Sequence, residues 1–416
     1  MTYDTEECND PYKININLDD DTMNKRKEFY EKGLNALLVD PHFLLLYVPE
    51  NGTKMQIIQP ANDPHHRKRM IKRINEAKRI PSFYYALSHL WGLTGNNRFH
   101  WNDIGEYVDD EEGQPAKPVS MRPEKRDTLL ALLKDHPDSY WWIDVLCART
   151  DTPLDIMGDI YACCLECVAM IDCEPDLIPE INTMTDAVKQ VDELREIIHR
   201  RKKRKHLTYK QVSQTTCPQL LNLLLRLTQK EWWKRVWTWQ EMALPQGTVR
   251  LMSETGTHQP QSNTITLVDL LKFKPMAEFF DTTRIVDGDG GYLKAVANTV
   301  FTSLDEIRNG IESNYICIFD RSEHAFLSVI SSLGFSKRRC TDPVDYVYGV
   351  LGVLQLKIPR MTDPHAVWQY FVSEMDKRLQ SIGDSSRIAG HAHFDLRFAN
   401  NMADVYYKFV EICYGI

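Results

Sequence analysis

The segment EWWKRVWTWQEMAL, residues 231–244, holds the group best placed to do chemistry. Written as one helix, it puts Trp233, Val236, Trp237, Gln240 and Leu244 on one face, with Glu241 at its edge. A carboxylate bordering an aromatic stripe is costly to desolvate unless it is paired. Glu241 is therefore either locked to an Arg or a backbone amide, or it is functional. A hydrolase can also be written down from Cys147 or Ser88 as nucleophile with His89 as base. Neighbours on a strand point to opposite faces, however, so Ser88 and His89 do not serve each other directly.

The remaining chemical signals have simpler explanations. Cys163, Cys164, Cys167 and Cys173 are the densest thiol group, and Cys164 with Cys167 gives a CxxC spacing. A structural zinc site needs a second such pair or a suitably spaced His pair, and none follows, so these read as small core residues and no metal is expected. DGDGG from Asp287 resembles the start of a calcium loop, but Asn298 stands where the bidentate Glu belongs. His391 and His393 flank one Ala with no carboxylate and Cys cluster nearby, and read as surface histidines. No P-loop lysine motif and no glycine-rich dinucleotide fingerprint occurs. The basic block HRRKKRKH, residues 199–206 from His199 to His206, reads as a solvated helical end; a nuclear-import signal or a nucleic-acid contact is the alternative.

The 416 residues suffice for two or three domains, or for one core with large insertions. With 43% hydrophobic and 26% charged residues the chain is an ordinary globular one, neither disordered nor a coiled-coil rod. Fifty Lys plus Arg against 58 Asp plus Glu leave a net charge of −8, which argues against electrostatic binding to nucleic acid as its main business. The polar start MTYDTEECND and ten dispersed cysteines suggest an intracellular, cytoplasmic protein with reduced thiols. The most apolar early stretch, 34–48, is broken by Asp40, Pro41 and His42, so no membrane partner is expected.

These residues need elements to hold them. FYYALSHL (83–90), YWWIDVLC (140–147) and CVAMID (167–172) are aromatic and apolar enough for buried strands. Helical patterns begin at Asp127 and run over 154–166 between them, and this alternation argues a parallel, doubly wound sheet. TVRLMS, from Thr248, reads as a further strand, and DDEEGQPAKP (109–118) as an exposed insertion. Beyond the third strand helical patterns dominate, over 187–205, 218–228, 231–244 and several stretches between 267 and 354. Residues 1–25 read as a flexible arm, and 28–59 as a helix, a short apolar run (FLLLYV) and a strand (KMQII).

In order, YYALSHLWG at Tyr84, WWIDVLCARTD at Trp141, IYACCLECVAMID at Ile160 and WWKRVWTWQEM at Trp232 resemble the blocks of the fungal heterokaryon incompatibility (HET) domain. RRCTDPVDYVYGVLGV, from Arg338, looks like the downstream block that often follows. The HET family is in turn held to resemble TIR domains. The implied fold is α/β, a TIR-like (flavodoxin-like) parallel sheet core with large helical extensions. The implied division is 1–82 as an N-terminal extension, 83–354 as the HET-like domain and 355–416 as a C-terminal helical tail. Within the domain, the α/β core covers about 83–253 and a helical part 254–354.

The resemblance implies a role in self/non-self recognition or programmed cell death, an innate-immunity type of output. By similarity to TIR enzymes, Glu241 would be the catalytic carboxylate of NAD cleavage and Trp237 the tryptophan of the Trp-x-x-x-Glu motif. Ser88, His89 and Trp91 after the first strand, and Asp144 and Arg149 after the second, would line the substrate pocket. NAD would be a substrate and no cofactor is implied; self-association is the expected partnership. The chain departs from the family's usual Ile-Asn-Gln after the cysteine, carrying Ala148, Arg149 and Thr150 after Cys147. Arg149 then either holds an anionic group such as phosphate or pairs with Asp151. The competing reading is a non-enzymatic adaptor that assembles through the same surfaces, with Glu241 as a structural partner of an Arg.

Overall fold

The computed structural model describes residues 12–16, 24–94, 97–200, 206–256, 259, 262–319, 323–381 and 393–414. Most of the acidic arm, the five central residues of the basic block and His391 lie outside these.

Eight strands form the main sheet: β1 (Leu45–Val48), β2 (Met55–Ile58), β3 (Tyr84–His89), β4 (Val108–Asp109), β5 (Ser139–Ile143), β6 (Glu166–Ile171), β7 (Thr248–Ser253) and β8 (Thr264–Thr266). Their order across the sheet is β8-β7-β6-β3-β5-β1-β2-β4. The four central strands β7, β6, β3 and β5 are mutually parallel, whereas β8 and the β1–β2 pair join antiparallel at the flanks. Parallel strands lie between layers of helix, so they carry near-continuous apolar runs rather than alternation. SYWWI of β5 is buried at every position, and YYALSH of β3 at all but Tyr85.

Counting only the parallel strands in chain order, β3, β5, β6 and β7 lie as 2-1-3-4, the opening order of flavodoxin-like sheets. The strand order reverses between β3 and β6, and in open α/β sheets ligands bind outside the carboxyl ends at such a reversal. His89 and Ile171 end the two strands there, with Ser88 beside Ala169 in register.

Residues ahead of β3 are woven into this sheet. Leu46 pairs with Trp141, and the helix Asn24–Val39 packs on the helix Ile156–Cys163. Two boundaries differ from the sequence expectation. The second buried strand stops at Ile143 because the Asp144 carboxylate accepts the Val145 amide at 2.7 Å and the chain turns into the short helix Asp144–Cys147.

The second difference concerns 231–244, which is two pieces, the 3-10 turn Glu231–Lys234 and the helix Thr238–Ala243. Arg235 between them is extended (φ −84, ψ 141), and the Val236 amide donates to the Arg339 carbonyl at 3.1 Å. An amide spent on another segment cannot continue a helical ladder. The aromatic stripe is thus split, with Trp233 on one piece and Gln240 on the other.

Of the cysteines, Cys147, Cys163, Cys164, Cys167, Cys173 and Cys217 are free and buried. Burial pushes the thiols of Cys147 and Cys173 up to about 12 and raises the others as well. Since the thiolate is the reactive form, a thiol-specific reagent is expected to spare these six until the chain is unfolded. Rapid labelling of any of them in the native protein, located by mass spectrometry of the peptides, would contradict this burial. A nucleophilic Cys147 has no support in its surroundings.

Candidate functional site

Ser88 and His89 leave the end of β3 in opposite directions, as alternation requires, and each anchors a separate cluster. On one side the Trp232 indole Nε1 donates to Ser88 Oγ at 2.7 Å, and the Ser88 hydroxyl donates to Glu241 Oε2. The indole can only donate, so the serine proton faces Glu241 whenever the carboxyl is ionised.

Trp232 is held by the end of β6: the Asp172 carboxylate accepts the amides of Glu231 and Trp232 at 3.0 and 3.1 Å. The adjacent break at Arg235 is clamped from the downstream block. Arg338 Nη1 donates to Thr238 Oγ1 at 2.6 Å and to the Arg235 carbonyl at 3.2 Å, while Arg338 Nε pairs with Glu306 at 3.4 Å. The block 338–353 therefore builds one wall of the site.

Glu241 is 5% exposed, Ser88 is fully buried, and no ion pair to Glu241 forms among the described residues. Burial pushes the Glu241 carboxyl up to about 7; the Ser88 hydroxyl pulls down, Asp144 pushes up, and the charges of Arg235 and Arg338 pull down without restoring the ordinary value. Such a carboxyl changes charge near neutral pH, which suits work as a base or as a charge stabiliser. In Ser88→Ala the Trp232 N–H and the carboxylate both lose a partner. A further rise of the Glu241 titration midpoint above about 7 is expected, together with a stability loss of about 1–3 kcal/mol. NMR titration of 13C-labelled glutamate reads the first, and an unchanged midpoint would show that the serine does not act on the carboxylate.

On the other side of β3, His89 Nε2 lies 3.0 Å from Asp144 Oδ1, and the Trp91 indole donates to Asp144 Oδ2. Burial pushes the Asp144 carboxyl up, but His89, Trp91 and the Val145 amide together hold it below the ordinary value. His89 Nδ1 lies 2.9 Å from the Leu90 carbonyl and 3.2 Å from Lys125 Nζ. Lys125 is wholly buried, pairs with Glu254 at 3.4 Å and is pushed down to about 8 by desolvation. Arg122 closes the chain on Glu254. The two clusters share a strand end, and the Asp144 charge reaches Glu241.

Arg149 and Trp237 stand apart from both. Arg149 makes a two-pronged pair with Glu111 of the acidic insertion, Nη2 to Oε2 at 2.6 Å and Nε to Oε1 at 3.2 Å, and not with Asp151. Trp237 is half-buried one helical turn before Glu241 and hydrogen-bonds Asp345, whose carboxyl burial pushes up to about 6. Trp91 is 40% exposed and forms the rim. Sequence reasoning missed Trp232, Lys125, Glu254 and Arg338. The aromatic run WWKRVW pointed at Trp232, whereas the buried Lys125 lies in an otherwise ordinary helix, Pro123–Lys134, and left no trace.

A concavity of about 310 Å³, lined among others by Arg73, Tyr85, His136 and Asp138, opens at the amino ends of β3 and β5, at the far end from Glu241. Its Arg73–Asp138 and Arg69–Asp138 pairs tie the N-terminal helix Pro64–Glu76 to the sheet. Among the described residues no three His, Cys, Asp or Glu side chains converge to hold a metal, and no helix is long and apolar enough to cross a membrane.

Residues 84–241 match the family model described as Heterokaryon incompatibility protein (HET), a span that begins with β3 and ends on Glu241. No curated protein and no solved structure matches the chain. The match is confined to that span, and the geometry shows that strands on either side of it, β1, β2 and β7, complete the sheet it contributes to.

Proposed function

We propose that this HET-domain protein acts in heterokaryon-incompatibility or cell-death signalling by cleaving NAD at a TIR-like site centred on Glu241. One observation carries the reading: a carboxyl with no ion-pair partner, pushed up to about 7, sits on a serine hydroxyl at the point where the sheet order reverses. The 2-1-3-4 order of the parallel strands supports the TIR-like comparison.

Breaking the nicotinamide–ribose bond sends the bonding pair to the pyridinium nitrogen and leaves an oxocarbenium-like ribosyl cation. Nicotinamide leaves neutral, so no general acid is required. The ionised Glu241 carboxylate stabilises the cation and holds the ribose hydroxyls, as carboxylates do in glycoside cleavage. Water then adds to the cation and loses a proton, giving ADP-ribose. The Trp232–Ser88 pair fixes the carboxylate, and Trp91 on the rim offers a ring face to a base. Since Glu241 is 5% exposed, the site must open before NAD reaches it, a step we assign to self-association.

The depth of Glu241 favours a second reading, the non-enzymatic adaptor, in which the same buried hydrogen bonds only hold the segment in place. Concentrated full-length protein incubated with NAD and analysed for nicotinamide and ADP-ribose separates the two. Stoichiometric release of both supports cleavage. Self-association without release supports the adaptor and sinks the glycohydrolase.

A further inference from the structure

The acidic chain, at a net −8, repels a dinucleotide, so the pyrophosphate needs a local cation. Most of the cations near the carboxyl ends of the strands are already satisfied. Arg149 holds Glu111, Arg122 and Lys125 share Glu254, and Arg338 holds Glu306. Arg235 differs. Among the described residues its side chain pairs with no carboxylate and makes one hydrogen bond, a long one, Nη1 to the His89 carbonyl at 3.5 Å.

Its position is built rather than incidental. The extended backbone at Arg235 is bracketed by Val236 N–H to the Arg339 carbonyl at 3.1 Å and Arg339 N–H to the Lys234 carbonyl at 2.6 Å, and its own carbonyl accepts Arg338. This forced break in the helix directs the half-buried side chain back over the end of β3. There it lies close enough to Glu241 and Asp345 to influence both without pairing with either. A planar guanidinium with unused donors matches two phosphate oxygens at once, and the end of the sheet at the order reversal is where nucleotide phosphates settle.

We propose that Arg235 is the anion-holding residue of this site and takes the pyrophosphate of a dinucleotide, leaving the ribose of the scissile bond for Glu241. The inference rests on the dinucleotide reading of the same site and goes beyond it by assigning substrate charge to one residue. It also moves the role from Arg149, which Glu111 neutralises, to a residue four positions after Glu231.

Isothermal titration of ADP-ribose into the full chain tests it. Arg235→Gln should weaken binding by about 10–100-fold, as expected for loss of charge-assisted hydrogen bonds, and Arg235→Lys should recover part of the loss. Equal binding by wild type and Arg235→Gln, or no binding of ADP-ribose by wild type, overturns the assignment. So does an equal weakening of nicotinamide riboside, which carries no phosphate, because that would mark a general structural defect. The two claims fail separately. ADP-ribose binding through Arg235 without nicotinamide release sinks the glycohydrolase and leaves the anion site. Release with the same kcat/KM in Arg235→Gln sinks the anion site and leaves the glycohydrolase.

Discussion

Glu241→Gln is expected to lower NAD cleavage by about 10²–10³-fold and at the same time to make the folded chain more stable above neutral pH. The activity loss follows from removing the charge that offsets the ribosyl cation. The stability gain follows from linkage. The folded Glu241 carboxyl keeps its proton up to about 7, against 4.5 for the ordinary side chain, because burial disfavours the charged form. A raised carboxyl contributes stability fully present at low pH and lost as pH rises towards about 7; the ionised group then weighs on the fold. The gap corresponds to about 3 kcal/mol at most, which a neutral, isosteric amide escapes. Thermal unfolding of both proteins at about pH 4 and about pH 8 should show near-equal midpoints at the lower pH and a higher midpoint for the variant at the upper one. A variant less stable at the upper pH would instead identify Glu241 as an ionised structural anchor, the adaptor reading.

The second large effect is expected far from any charge. Gly158 of the helix Ile156–Cys163 and Gly352 of the helix Leu351–Leu354 meet backbone to backbone, and a Cβ built on either would lie 2.4 Å from the Cα of the other. At Gly352 it would also come within 3.1 Å of Gln240 Oε1 and Leu244 Cδ1. Neither backbone can yield without separating the elements around the site, so Gly352→Val should cost about 3 kcal/mol or more, at the upper end of overpacking penalties. Gly158→Val should behave alike, and the pair should not be additive because both report one contact. Gly291 has open space around its Cβ position and serves as a comparison, with Gly291→Ala near neutral. Urea unfolding measures all four. If Gly352→Val unfolds like Gly291→Ala, the downstream block does not dock against the helix Ile156–Cys163 as described.

How much of this was legible in the sequence follows from what sequence patterns encode. The strands 84–89, 166–171 and 248–253 stood out because buried parallel strands are continuous apolar runs, and YYALSH, ECVAMI and TVRLMS are such runs. The membership of Leu45–Val48 and Met55–Ile58 in the same sheet did not, since pairing Leu46 with Trp141 across 95 positions leaves no periodic mark. The helix over 231–244 failed for a related reason. Its spacing fits a helix, but Val236 gives its amide to Arg339, a partner more than a hundred residues on, and tertiary bonding overrode local pattern. The resemblance placed Ser88 and His89 at the end of the first strand and Asp144 after the second, and strand alternation foretold the divergence of Ser88 from His89. Lys125 and Arg338 emerged only in three dimensions, because a buried cation is recognised by its partners and not by its neighbours in sequence.

The pH dependence of kcat/KM for nicotinamide release by the wild type bears most directly on the central claim, that an ionised Glu241 cleaves NAD. This quantity reports groups of the free enzyme, and the group in question is the carboxyl raised to about 7. The account predicts a rate that climbs about tenfold per pH step below that midpoint and levels off above it. A profile flat across the midpoint, or no nicotinamide at any pH from concentrated protein, would contradict it.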